Sequence, residues 1–228
     1  MDVLSTQSFM SNQSDMTAKL ITEFIGTFFL CLTVCIAGAF GLSGQNAPFA
    51  IAGTLMVMIY AGAHISGAHY NPAVTISIWI RGACEKSEVA PYAISQLAAG
   101  SLAALVAANL IVTGDISEDY PIEMFEPSGM GTSIIVSELL FTFALSFVIL
   151  NVATSKSNEG NGYYGAAIAI VVLAGAVTVG KISLASFNPA VSLSLVVVGK
   201  MAAADLWLHF IPQLLGAVAA SLVFRWNN

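Results

Sequence analysis

The chain has 228 residues, of which 57% are hydrophobic and only 9% charged, with a formal net charge of −6. Soluble domains carry about 25% charged residues, so a water-exposed globular protein is excluded and the composition points to lipid. A membrane-crossing helix takes roughly 20 apolar residues, which leaves room for about six spans.

Met1–Thr17 is polar and holds Asp2 and Asp15 but no Lys or Arg. It lacks the basic start of a signal peptide and is expected to be a short disordered tail. The first span is predicted over Ala18–Phe40 and the second over Ala47–Ser66. HYNPAVTISIWI follows, too short to cross and opening on Asn71-Pro72. The third span is predicted over Glu88–Val112. The loop that follows carries Asp115, Glu118, Asp119, Glu123 and Glu126 with no base; it is either a cation-attracting rim or an ordinary solvated loop. The fourth span is placed at Gly131–Thr154 and the fifth at Tyr163–Gly180. FNPAVSLSLVVV comes next, opening on Asn188-Pro189, and Ala204–Phe224 is the sixth span. The cysteines Cys31, Cys35 and Cys84 form no disulfide or metal-ligand pattern. No cofactor site or nucleophile–base set is read.

With six spans, Lys19, Arg81, Lys86, Lys156 and Arg225 fall on the side of both termini, and Lys181 and Lys200 on the other. The excess of basic residues puts both termini in the cytoplasm of a cell-membrane protein.

The two halves repeat each other. Glu23 and Glu138 sit in the first span of each half, and NPAV begins at Asn71 and again at Asn188. Gln96 and Gln213 follow their asparagines by the same 25 residues. Each half has three spans, an odd number, so the second inserts upside down relative to the first. Such inverted repeats place their sites near the bilayer midplane, at short interrupted helices.

Asparagine is a favoured N-cap and proline a favoured first helical residue. The motifs Asn71-Pro72-Ala73 and Asn188-Pro189-Ala190 therefore predict two half-helices whose N-termini meet in mid-membrane. Each N-terminus carries roughly half a positive charge. Facing one narrow channel, the pair disfavours cations and orients water so that a proton wire is broken. The Asn71 and Asn188 amides are the expected donors to a passing oxygen. Irregular backbone at this depth must be buried or line a wet cavity, which assigns His64–Tyr70 and Lys181–Phe187 to re-entrant loops. Glu23 and Glu138 lie within apolar spans, where a carboxylate marks function. Proton relay is one reading; the favoured one is that each accepts hydrogen bonds from its own loop, with Gln96 and Gln213 in support. His64 and His69 flank the first motif as hydrogen-bonded or pore-lining residues.

These motifs, HISGAHYNPAVT and SFNPAVS with their spaced glutamates, resemble the aquaporin (major intrinsic protein) superfamily across nearly the whole chain. The resemblance implies an all-α membrane protein: six tilted helices and two half-helices in an inverted repeat, a pore in each subunit, a homotetramer and no enzymatic activity. On it, residues 18–228 are one channel domain, with repeat one at 18–112, an acidic outer loop at 113–130 and repeat two at 131–228, behind a 1–17 cytoplasmic tail. One feature departs from the family. Its second motif usually continues into arginine, a member of a four-residue outer constriction, and here stands Val191. The family's spacing puts the other three positions at Ile51 in the second span, Ala176 in the fifth and Ala185 in the loop, with Val177 the neighbouring choice for the fifth-span position. The implied ring is wide and apolar. It is expected to pass water with larger neutral solutes such as urea, glycerol, ammonia or hydrogen peroxide, or else to dewet and slow water. Lys181 either swings a charge toward this mouth or stays exposed or lipid-facing. A weakly selective ion or proton leak is the competing function, and a coupled transporter ranks behind it.

Overall fold

A computed structural model describes the backbone of residues 3–227 and the side chains of residues 15–227. Nine helices order the described chain: α1 Val3–Thr33, α2 Ala47–Ser66, α3 Pro72–Arg81, α4 Lys86–Val106, α5 Asp115–Asp119, α6 Gly131–Thr154, α7 Tyr164–Ser183, α8 Pro189–Val197 and α9 Trp207–Asn227. Six segments are long and apolar enough to cross a membrane: Asp15–Ala39, Gly44–Ser66, Lys86–Ile111, Gly131–Thr154, Tyr164–Ser183 and Ala203–Asn227. The fold is therefore all-α, with six crossings and two half-helices, α3 and α8. An even number of crossings returns the chain to the side on which it began, called here the terminal side.

Three expectations need correction. Helix α1 starts at Val3, so the expected disordered tail is helical from there on, and Met1 and Asp2 lie outside the described residues. No glycine or proline interrupts Val3–Ile25, so one backbone bond per residue propagates the helix past the membrane edge. The re-entrant loops begin at Gly67 and Leu184, not at His64 and Lys181, because α2 runs on to Ser66 and α7 to Ser183. Helix α9 starts at Trp207, after a single turn at Ala203–Asp205.

The two halves interlock. Within them, α1 packs on α4 and α6 on α9; between them, α2 packs on α7, while α3 lies against α9 and α8 against α4. Each half-helix thus rests on the other half. Gly100 permits this on α4: a methyl there would stand 2.7 Å from the Ala190 carbonyl oxygen. Small residues let membrane helices approach this closely. On α9, Ser221 Oγ donates to the Ser77 carbonyl at 3.0 Å. The acidic loop is pinned on the opposite side, where Phe125 N–H donates to Lys200 O and Lys200 Nζ to Glu123 O, both at 2.8 Å. Its five carboxylates stay exposed.

Candidate pore

Each half-helix is started by its asparagine. Asn71 (φ −160°, ψ 119°) and Asn188 (φ −157°, ψ 117°) are extended N-caps followed by proline. Asn71 Oδ1 accepts from Ala73 N–H at 2.9 Å, and Asn188 Oδ1 from Ala190 N–H at 2.9 Å. The amide nitrogens cross over. Asn71 Nδ2 donates to Phe187 O at 2.9 Å and Asn188 Nδ2 to Tyr70 O at 2.8 Å. An amide nitrogen has two hydrogens, so the second on each remains for a guest. Both asparagines line one cavity of about 730 Å³.

The loops entering the motifs are left-handed at non-glycine residues: Ala68 (φ 52°) and Tyr70 (φ 48°), then Leu184 (φ 62°), Ala185 (φ 47°) and Phe187 (φ 48°). Such positions cost about 1–3 kcal/mol each and persist only where the surroundings over-determine them. Here buried carboxylates do so. Glu23 accepts from Ser66 Oγ at 2.7 Å, His69 N–H at 2.9 Å, Tyr70 N–H at 2.7 Å and Gln96 Nε2 at 2.8 Å. Glu138 accepts from Ser183 Oγ at 2.7 Å, Ser186 N–H at 3.2 Å, Phe187 N–H at 2.8 Å and Gln213 Nε2 at 2.8 Å. Both carboxylates are fully buried. Burial of so polar a group is offset because hydrogen-bond donors surround it.

The cavity is amphipathic. Its polar lining includes His64, His69, Asn71, Ser186 and Asn188, and branched aliphatic residues such as Leu30, Val34, Leu55, Ile59, Leu145 and Ile149 face them. Ile51 and Val191 line it as well, and on α7 so does Val172. Ala176 lies one turn further along α7, and neither it nor Ala185 lines this cavity. Lys156, Asn158, Glu159, Asn161 and Tyr164 border its terminal-side mouth. His69 is buried, with Nδ1 at 3.2 Å from Thr75 Oγ1. Lys181 is exposed in the last turn of α7 and is not part of the lining.

Sequence reasoning missed Ser66 and Ser183, which close α2 and α7 and donate to the two glutamates. Each stands five residues before its asparagine, so aligning the two halves in full would have found them. It also missed Thr75 and Ser192, which receive the glutamine amides at 3.1 Å and 2.9 Å.

Residues 10–224 match the family model described as Major intrinsic protein. The chain belongs to this family. It is a multi-pass membrane channel of the major intrinsic protein family, not an enzyme. It is 32% identical to Aquaporin Z of Photorhabdus laumondii, over 92% of this chain and 97% of that one. It is 34% identical to Aquaporin NIP1-2 of Arabidopsis thaliana, over 96% and 76% of the two chains. Its fold resembles the aquaglyceroporin of Plasmodium falciparum, with a TM-score of 0.73 at 23% identity, covering 92% and 95% of the two chains.

Proposed function

We propose that the chain is a passive pore for water and other small uncharged solutes, one pore per subunit of a homotetramer in the cell membrane, with both termini cytoplasmic. The observation that carries this reading is the pair of crossed asparagine caps on one cavity. Asn71 and Asn188 offer amide hydrogens to a solute oxygen, and Pro72-Ala73 and Pro189-Ala190 continue their half-helices. The two helix N-termini oppose cations with their partial positive charge. Glu23, Glu138, Gln96 and Gln213 hold the loops instead of relaying protons, since each carboxylate is saturated by loop, serine and glutamine donors. His64 and His69 add polar groups to the wall.

We read Ile51, Ala176, Ala185 and Val191 as the outer constriction; Ile51 and Val191 line the cavity, and Ala176 and Ala185 stand beyond its lining. The constriction lacks arginine, whose guanidinium fills space, donates hydrogen bonds and repels cations. Neutral solutes wider than water are expected to pass. The aliphatic wall favours a second reading, in which water flux is low and ammonia, urea, glycerol or hydrogen peroxide is the main cargo.

Stopped-flow volume change in liposomes tests both. The first reading expects fast water flux together with urea or glycerol entry that Val191→Arg abolishes. Solute entry with slow water flux selects the second reading. Flux at the level of empty liposomes overturns both.

A further inference from the structure

The two halves hold the serine at the head of each loop in the same way, except for the side chain that bonds its carbonyl. Ser66 and Ser183 are equivalent: each ends its helix, donates Oγ to its glutamate at 2.7 Å, and accepts a loop N–H, from Ala68 at 3.0 Å and Ala185 at 3.2 Å. Each also has its carbonyl held. Tyr92 Oη donates to Ser66 O at 2.9 Å. In the second half His209 Nε2 stands 2.9 Å from Ser183 O. A carbonyl only accepts, so this nitrogen carries the hydrogen. His209 is fully buried, and its Nδ1 has no hydrogen-bond partner among the described residues. The ring therefore makes one directional bond and is otherwise held by packing.

The turn beyond Ser183 needs this bond more than its counterpart does. The first half enters its loop through Gly67 (φ 84°) and Ala68 (φ 52°), and the second through Leu184 (φ 62°) and Ala185 (φ 47°), so the difference is the leucine that stands where the first half has glycine. Glycine adopts such angles freely, whereas a side chain pays sterically. Leucine in place of glycine at the hinge adds one strained position to the turn, and a bond to its flanking carbonyl adds to the hold that Glu138 has on Ser183, Ser186 and Phe187.

We propose that His209 is a positioning residue for the outer constriction. Its Nε2–H fixes the Ser183 carbonyl, through it the left-handed Leu184–Ala185 turn, and so the place of Ala185 in the ring with Val191. This rests on the reading of Ala185 and Val191 as constriction residues. His209 sets which solutes pass, and Tyr92, which holds the other loop, does not.

The test is the ratio of glycerol to water permeability in liposomes, measured for the native protein, His209→Phe, His209→Gln and Tyr92→Phe. Phenylalanine keeps a ring without the donor, and glutamine restores a nitrogen donor at similar reach. The ratio is expected to change at least about threefold in His209→Phe, because selectivity follows pore diameter. It is expected to return to the native value in His209→Gln and to stay native in Tyr92→Phe, which deletes the same bond from the other half. Should His209→Phe fail to fold, His209→Asn, whose amide is too short to reach Ser183, carries the same comparison against His209→Gln. A native ratio in the donor-less variant, or an equal change in Tyr92→Phe, overturns the proposal. A native protein without flux above empty liposomes overturns the channel reading along with it, and is distinct from native flux whose ratio ignores His209.

Discussion

Asn71 and Asn188 each cap their own half-helix and bond the other's loop, Asn71 Nδ2 to Phe187 O at 2.9 Å and Asn188 Nδ2 to Tyr70 O at 2.8 Å. The junction is therefore one unit built from both halves, and its partial charges are fixed by amides. Asn188→Asp keeps an N-cap, since aspartate caps as well as asparagine. It removes the donor to Tyr70 O and adds a negative charge between two positive helix ends. On the proposed reading of a junction that opposes cations, the expected outcome is a cation conductance above that of the native protein, seen as a cation-selective reversal potential in planar bilayers.

The carboxylates make the loops possible. In Glu138→Gln one acceptor becomes a donor, and whichever way the amide turns it faces donors: Ser183 Oγ and Ser186 N–H on one oxygen, Phe187 N–H and Gln213 Nε2 on the other. Hydrogen bonds to charged groups contribute about 1.5–3 kcal/mol each. A loss of about 3 kcal/mol or more is expected, read as a lower unfolding midpoint in detergent titration followed by circular dichroism.

Tyr70 is wedged between α1 and α2 with Oη donating to Met58 O at 2.9 Å. A methyl at Gly62 would overlap Tyr70 Oη and stand 2.7 Å from Thr22 Cγ2. Gly62→Ala is expected to cost about 1–3 kcal/mol, the range for overpacking. Tyr70→Phe in the same chain removes the overlapping oxygen. The double variant should be more stable than the sum of the two single changes implies, by the same titration.

Cys84 lies outside the membrane spans, half-buried, with Sγ 3.4 Å from Glu88 Oε2. Burial first, and then the hydrogen bond and charge of Glu88, push its pKa up to about 12. The thiolate is the reactive form, so maleimide labelling at neutral pH should be slow and should quicken as pH rises. Glu88→Gln removes the neighbouring charge and should speed labelling at fixed pH.

What was legible in the sequence follows from the range of each interaction. Asn-Pro announces a helix start because capping is local, and Glu23 and Glu138 stood out because carboxylates are rare in apolar spans. Helices α2 and α6 fall where apolar runs and polar breaks placed them. The carriage of α7 to Ser183 was hidden because no glycine or proline marks where Leu184 turns left-handed. The bonds of His209 and Tyr92 to serine carbonyls bridge 26 residues each. Nothing local distinguishes those two side chains from ordinary packing residues.

The most direct test of the central claim is to measure osmotic water and urea flux together with proton and potassium flux in one preparation of proteoliposomes. The expected result is neutral-solute flux well above that of empty liposomes, with ion flux indistinguishable from theirs. Ion flux that rises with protein content, or neutral flux that does not, would contradict the account.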